Sequence, residues 1–337
     1  MRASPIRPKA MLAALLALAG LGCPAAAWAQ DNAADINRGD AVIVPAPVPR
    51  AEIVQDYAPD PAVWLLQDED TRIYLLGTVH VLPAGFRWRS PRIDAIVADA
   101  DELIVESTDD EPPTDDPRLS RLMKSLAKRQ RVSERLSPEN GPKWLALGQS
   151  LGIDAETFDR LPPLLALFGI GLSASQQESG SIRRYGVETV LEADFRAAGK
   201  PIGAIENGTE VFLSLLDLDE AVLIKELDRE LTRLGRNDPR TYLLAPAKGA
   251  SALEMEHRWA QGHEVELGPE TFGDTTFGRA MDKTLLDRRN RAWAVWLERR
   301  LAQPGTVLVA VGAAHLAGPN SVHTMLARRG LTSERLN

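Results

Sequence analysis

Apolar positions along this chain recur at two different spacings, and the switches between them predict its elements. Residues 62–67 and 72–76 are short apolar runs on either side of the polar turn Asp68-Glu69-Asp70, the pattern of a β-hairpin. Ser90 then offers an N-cap, Pro91 a first helical residue, and Ile93, Ile96, Val97 and Ala100 fall on one helical face. Residues 102–106 return to a buried strand. Strand, helix and strand in that order form a crossover unit whose strands run parallel, with their C-terminal ends on one edge.

An acidic, proline-containing loop at 108–117 follows, and residues 119–135, 142–151 and 162–175 carry helical spacing without a motif. Gly186 opens a clearer helix, with Val187, Val190, Leu191, Phe195 and Ala198 inward and Gly199 as its stop. Residues 200–206 read as strand, and 207–302 as mostly helical, including 285–301. Residues 306–311 form a last strand, and a helix from Pro319 puts Val322, Met325 and Leu326 inward before Gly330. The fold class is therefore α/β: a mixed, mainly parallel sheet with a large helical insertion.

Two strand ends share one grammar. Residues 72–76 lead into Gly77-Thr78-Val79-His80, and 306–311 into Gly312-Ala313-Ala314-His315. With 25 Gly and five His in 337 residues, chance supplies fewer than one such match. If the strands run parallel, His80, Glu106, Glu206 and His315 meet at the carboxyl edge, where open α/β sheets hold ligands.

Two imidazoles with a carboxylate make a divalent-metal shell that leaves positions for water and substrate. A metal so held lowers the pKa of bound water to about 7, and a spare carboxylate serves as general base. The metal-ligand candidates are His80, Glu106 and His315; the catalytic candidates are Glu106, Glu206, Arg289 and Asn290. The competing reading solvates the glutamates at strand ends, leaves the histidines bonded to loop carbonyls, and puts Arg289 and Asn290 on a charged helix surface. The segment 254–264, with His257 and His263, lacks His-Glu-x-x-His spacing and reads as a surface helix end. No Gly-x-Ser-x-Gly elbow is present, which argues against a serine hydrolase.

The N-terminus changes the setting. Arg2, Arg7 and Lys9, an apolar run at 11–22 and Ala27-Trp28-Ala29 follow the order of a secretory signal peptide, so 1–29 is expected to be removed. Residues 30–58 read as a flexible leader and 59–337 as the folded domain. Cleavage removes Cys23, the only cysteine; Gly20 stands where a lipobox has a branched apolar residue, against lipidation there. Without thiolates, imidazole and carboxylate are the remaining strong ligands. The net charge of -8 argues against nucleic-acid binding, and no apolar stretch after the leader is long enough for an anchor. The expected location is periplasmic or secreted.

Residues 73–83, the strand ending in Glu106, Gly199-Lys200-Pro201, Ile205-Glu206, Arg289-Asn290 and residues 311–319 together resemble the TraB/PrgY/GumN family, nearest its secreted GumN-like branch. The resemblance spans roughly 58–335. It implies kinship with the Tiki metalloproteases, whose paired Gly-x-x-His motifs and glutamate serve metal-dependent peptide cleavage, and more distantly with erythromycin-esterase-like and haem-binding ChaN-like folds. By position the motif histidines are His80 and His315, the first-strand glutamate is Glu106, and Glu206 follows Gly-Lys-Pro. Asn207 stands where many relatives have Thr, and His263 where an Asp is common. The implied protein is a hydrolase of a peptide or small molecule using manganese, cobalt or zinc. The alternative is a non-catalytic binder of a peptide, polysaccharide fragment or haem.

Overall fold

Strand β5 (Gly305–Gly312) is the centre of the architecture, because its run Val307-Leu308-Val309-Ala310-Val311 is apolar on both faces and buried on both. Such a strand needs cover on two sides, the situation of a parallel sheet between helical layers. In the computed structural model the described residues are 53–108, 116–126, 128–149, 154–234, 252–265 and 275–337. The expected signal peptide and most of the expected leader lie outside them.

Among the described residues the sheet has six strands, in the spatial order β4 (Ile202–Ala204), β3 (Glu102–Val105), β5, β2 (Thr71–Thr78), β1 (Val63–Gln67) and β6 (Glu334–Arg335). Strands β1 and β2 form the expected antiparallel hairpin. Strands β2, β5, β3 and β4 run parallel, and β6 pairs antiparallel with β1. The crossover from β2 to β3 leaves a gap that β5, arriving from the far end of the chain, fills. Thus His80 and His315 follow neighbouring strands, with Thr78 of β2 opposite Gly312 of β5.

Helices α1 (Pro91–Asp99) and α2 (Val187–Ala197) supply Ile93, Ile96, Val187, Leu191 and Phe195 to one face, against Leu76, Leu103, Val105 and Leu308. Helices α3 (Arg288–Leu301) and α4 (Val322–Ala327) bring Trp293, Leu297, Val322 and Met325 to the other, against Ile73, Leu75, Val307 and Val309. Each side chain of this size contributes about 1.5–3 kcal/mol on full burial. Ser90 caps α1 by accepting the Ile93 N–H, with Pro91 at the first position, as expected. The last helix starts at Val322 rather than Pro319, because the Ser321 hydroxyl caps it.

Among the described residues two compact units are present: those within 53–107, 175–219 and 252–337 make the sheet unit, and those within 108–174 and 220–234 make a helical one. In the helical unit the expected helix over 119–135 stops at Leu126, and 131–136 instead turns around Asp159, which accepts the Ser133 N–H at 2.8 Å and its hydroxyl at 2.5 Å. Buried Asn140 donates to the Asp228 carbonyl and to Thr232, tying Gly141–Gln149 to Glu220–Arg233. Among the described residues no helix is long and apolar enough to cross a membrane.

Candidate functional site

Strand β2 delivers His80 just past its end, and the loop is held from several sides. Trp259 Nε1 donates to the Gly77 carbonyl at 2.8 Å. Residues 182–187 grip the far side: Ile182 and Leu82 form a two-way bridge, and the Val187 N–H donates to the Val79 carbonyl at 3.1 Å. Gly186 permits this approach, since a Cβ there would stand 2.0 Å from the His80 carbonyl oxygen. Next in line, Glu188 accepts from His80 Nδ1 at 2.6 Å and from the Thr78 hydroxyl.

Beyond β5 the chain turns through a short 3-10 helix, Ala313–Leu316, that buries His315. Its Nδ1 lies 2.5 Å from Asn290 Oδ1, while Asn290 Nδ2 donates to the Asn320 carbonyl at 2.7 Å. That second bond fixes the amide's orientation, so Oδ1 accepts and His315 Nδ1 carries the proton. The ring stacks on Trp293 with centroids 4.1 Å apart. Both motif histidines therefore donate through Nδ1 to a second residue, an arrangement that leaves Nε2 for the site.

Glu106 lies between them. Its Oε1 accepts the Gly312 N–H at 2.6 Å and stands 3.8 Å from His315 Nε2, and its Oε2 accepts from Arg289. A Cβ added at Gly312 would lie 3.0 Å from Glu106 Oε1 and 3.2 Å from His80 Nε2, so these two atoms border the same point. Glu206 is one guanidinium away. Arg289 Nε reaches both of its oxygens at 3.0 Å, Nη2 bridges it to Glu106, and Trp293 Nε1 donates to Oε2 at 2.8 Å. Arg289 and Asn290 reach this point from a π-helical turn, Lys283–Asp287, whose Leu285 carbonyl accepts from Arg289 Nη1 at 3.1 Å. Interruptions of this kind re-aim the side chains that follow.

The electrostatics separate four roles. The Glu188 carboxylate raises the His80 pKa to about 9, against the smaller opposing effect of the protein atoms packed around a ring that is about half exposed. Burial, aided by the Arg289 charge, lowers that of His315 to about 3. Burial would raise Glu106, but Arg289 above all, with the two histidines and the Gly312 N–H, holds it well below the usual carboxylate range. For Glu206, burial prevails over Arg289 and the neighbouring Glu106 charge adds to it, so its pKa is raised.

Sequence reasoning singled out His80, Glu106, Glu206, Arg289, Asn290 and His315, and these residues adjoin one another. It missed Glu188, Trp293 and Trp259, and read Gly186 only as the start of a helix. Trp293 could have been found, because it lies four residues after Arg289 on the same helical face; nothing in the spacing marks Glu188. The segment 254–264 is a correction: Ala252–Ala260 is not a surface helix end, for Leu253, Glu256, Trp259 and Ala260 are buried. His257 bonds Tyr57 at 2.6 Å instead of joining the site.

Among the described residues, no three His, Cys, Asp or Glu side chains already surround one ion position. The donor chemistry fits a divalent metal nonetheless: two imidazoles with Nδ1 committed elsewhere, His80 releasing its Nε2 proton on ligation, and an anionic carboxylate oxygen that lies 3.8 Å from His315 Nε2 and borders the space at Gly312 with His80 Nε2. Glu106, Glu206 and the Leu285 carbonyl take the Nε–H of Arg289, both N–H groups of Nη2 and one of Nη1, four of its five donors.

No solved structure matches this chain. A protein of Escherichia coli (strain K12) named "Uncharacterized protein YbaP" is 27% identical over 275 residues, covering 79% of this chain and 92% of that protein. The protein of the same name from Shigella flexneri matches to the same extent. The profile of the TraB/PrgY/gumN family matches residues 62–335, which take in both Gly-x-x-His motifs, Glu106, Glu206 and the Arg289-Asn290 pair, and the chain belongs to that family.

Proposed function

We propose that this protein is a metal-dependent hydrolase of peptide bonds, exported to the periplasm or beyond. The observation that carries the proposal is the convergence of His80, Glu106 and His315, with each imidazole Nδ1 held by a second residue. His80, His315 and Glu106 would hold manganese, cobalt or zinc, which when bound polarises the scissile carbonyl and acidifies water. Glu106, kept anionic by Arg289, is suited to ligation; Glu206, whose pKa is raised, takes up a proton at the smaller cost and is assigned the general base. Arg289 offsets the repulsion between the two carboxylates it joins, and Asn290 and Trp293 fix the His315 ring.

The signal-like N-terminus supports export, and mass spectrometry of the mature N-terminus, expected at Gln30, tests it. The main test measures metal content and peptide cleavage for the parent, His80→Ala, His315→Ala and Glu206→Gln, with manganese, cobalt and zinc each supplied. The histidine variants should lose metal, and Glu206→Gln should keep metal and lose turnover. A parent that binds none of the three, or histidine variants with full metal content, would overturn the reading. A binding protein would then take its place. One observation favours that alternative: the oxygens of Glu206 are fully engaged by Arg289 and Trp293.

A further inference from the structure

Glu188 belongs to neither Gly-x-x-His motif, yet the chain directs it into the site. It sits in the first turn of α2, where a carboxylate is favoured by the helix dipole and is ordinarily solvated. Here its side chain is only 16% exposed. The Thr78 hydroxyl, at the last residue of β2, donates to Oε1, the same oxygen that receives His80 Nδ1 at 2.6 Å. Val187, one residue earlier, is bonded to the Val79 carbonyl, and Gly186 is the only residue type whose lack of a Cβ lets the helix start lie against His80. Residues 182–188 thus grip 78–82 through backbone, side chain and close packing together.

This grip matters because His80, unlike His315, is not otherwise fixed. The His315 ring is 6% exposed and stacked on Trp293, whereas the His80 ring is 46% exposed and has no aromatic neighbour among the described residues. An exposed imidazole explores several χ1 and χ2 states unless a bond at one nitrogen selects among them. The bond to Glu188 selects the state in which Nε2 faces Gly312 and Glu106.

We infer that Glu188 is the positioning residue of His80, a carboxylate outside the metal shell that orients the imidazole and presents its Nε2 to the Glu106 side of the site. The functional half of this inference rests on the metallohydrolase reading; the orienting half does not. Removal of a carboxylate behind a ligating histidine weakens metal binding by about ten- to a hundredfold. Glutamine at the same place retains an oxygen acceptor for Nδ1–H and lacks the charge, so it restores orientation and only part of the affinity.

The test uses protein labelled with nitrogen-15 at its five histidines. A hydrogen bond as short as His80 to Glu188 gives a strongly downfield Nδ1–H resonance, which His80→Gln assigns. In Glu188→Ala this resonance should be lost while that of His315, held by Asn290, remains and reports an intact site. Glu188→Gln should keep it. Zinc(II) affinity by competition titration should fall about ten- to a hundredfold in Glu188→Ala and less in Glu188→Gln. Should the alanine variant fail to fold, Thr78→Val, which removes only the hydroxyl steering Glu188, should shift the His80 resonance and weaken zinc(II) in the same direction. Parental resonance and affinity in Glu188→Ala, or in Thr78→Val where that variant stands in, overturn the proposal. If the parent binds no zinc(II), manganese(II) or cobalt(II), the metallohydrolase reading falls, and the His80 resonance still decides whether Glu188 orients the ring.

Discussion

Arg289 joins Glu106 to Glu206: one buried guanidinium donates to both carboxylates, which the chain places 100 residues apart at the ends of neighbouring strands β3 and β4. Two carboxylates buried this close cannot both stay ionised without a cation between them. Arg289→Met should therefore cost about 3–5 kcal/mol of stability, the usual penalty for leaving a buried charge unpaired. Urea unfolding at neutral pH measures it. Adding Glu206→Gln to the methionine variant should recover part of the loss. Equal stability of parent and Arg289→Met would show that the carboxylates escape to water.

Gly312 is required by space rather than by backbone freedom. Its φ of -49° and ψ of 132° are accessible to any residue, so alanine is tolerated conformationally. The new methyl carbon, however, would lie 3.0 Å from Glu106 Oε1 and 3.2 Å from His80 Nε2. We expect Gly312→Ala to fold, with a melting temperature within a few degrees of the parent, and to lose at least about tenfold in metal affinity and turnover. Unchanged affinity would place the ion position away from Gly312.

Much of this site was legible because strand ends are legible. The apolar runs 72–76, 102–106 and 306–311 each stop at a residue with chemistry, and parallel pairing forces those stops onto one edge. The order of the strands was less so, since the crossover from β2 to β3 does not say that a third strand will separate them. Glu188 was hidden for a different reason. Its role depends on where the start of α2 lands against the β2 loop, and a glutamate in a first helical turn has an ordinary explanation without that contact. The aim of Arg289 and Asn290 depends on the π-helical turn before them, whose extra residue leaves no mark on apolar spacing.

Gly148 reports on the helical unit. A Cβ added there would stand 2.3 Å from the ring of Phe158, which is fully buried and lies 4.7 Å, centroid to centroid, from Trp144. Neither ring can yield without disturbing the other. Gly148→Ala, ordinarily stabilising within a helix, should instead destabilise by about 1–3 kcal/mol through overpacking. Hydrogen exchange localised to 141–160 would show the loss. Stabilisation would mean that this contact is looser than its geometry.

His323 gives the acid response a residue of origin. Its ring packs on Trp64 with centroids 4.6 Å apart, Nδ1 meets the Ser333 hydroxyl at 2.7 Å, and Nε2 is buried with no hydrogen-bond partner. Burial lowers its pKa from 6.5 to about 4, because a proton on Nε2 has no acceptor. The folded value lies below the unfolded one, so the unfolded chain binds the proton first as pH falls. The contribution of neutral His323 is thus fully present above about pH 6.5 and is lost progressively towards about pH 4, by up to about 3 kcal/mol. His323→Phe keeps the stacking and removes the titration, at the cost of the Ser333 bond, about 1 kcal/mol. Chemical denaturation should find the variant no more stable than the parent near neutral pH and more stable near pH 4.5, every other titrating group being common to both. A stability difference constant across that range would assign the acid response to other groups.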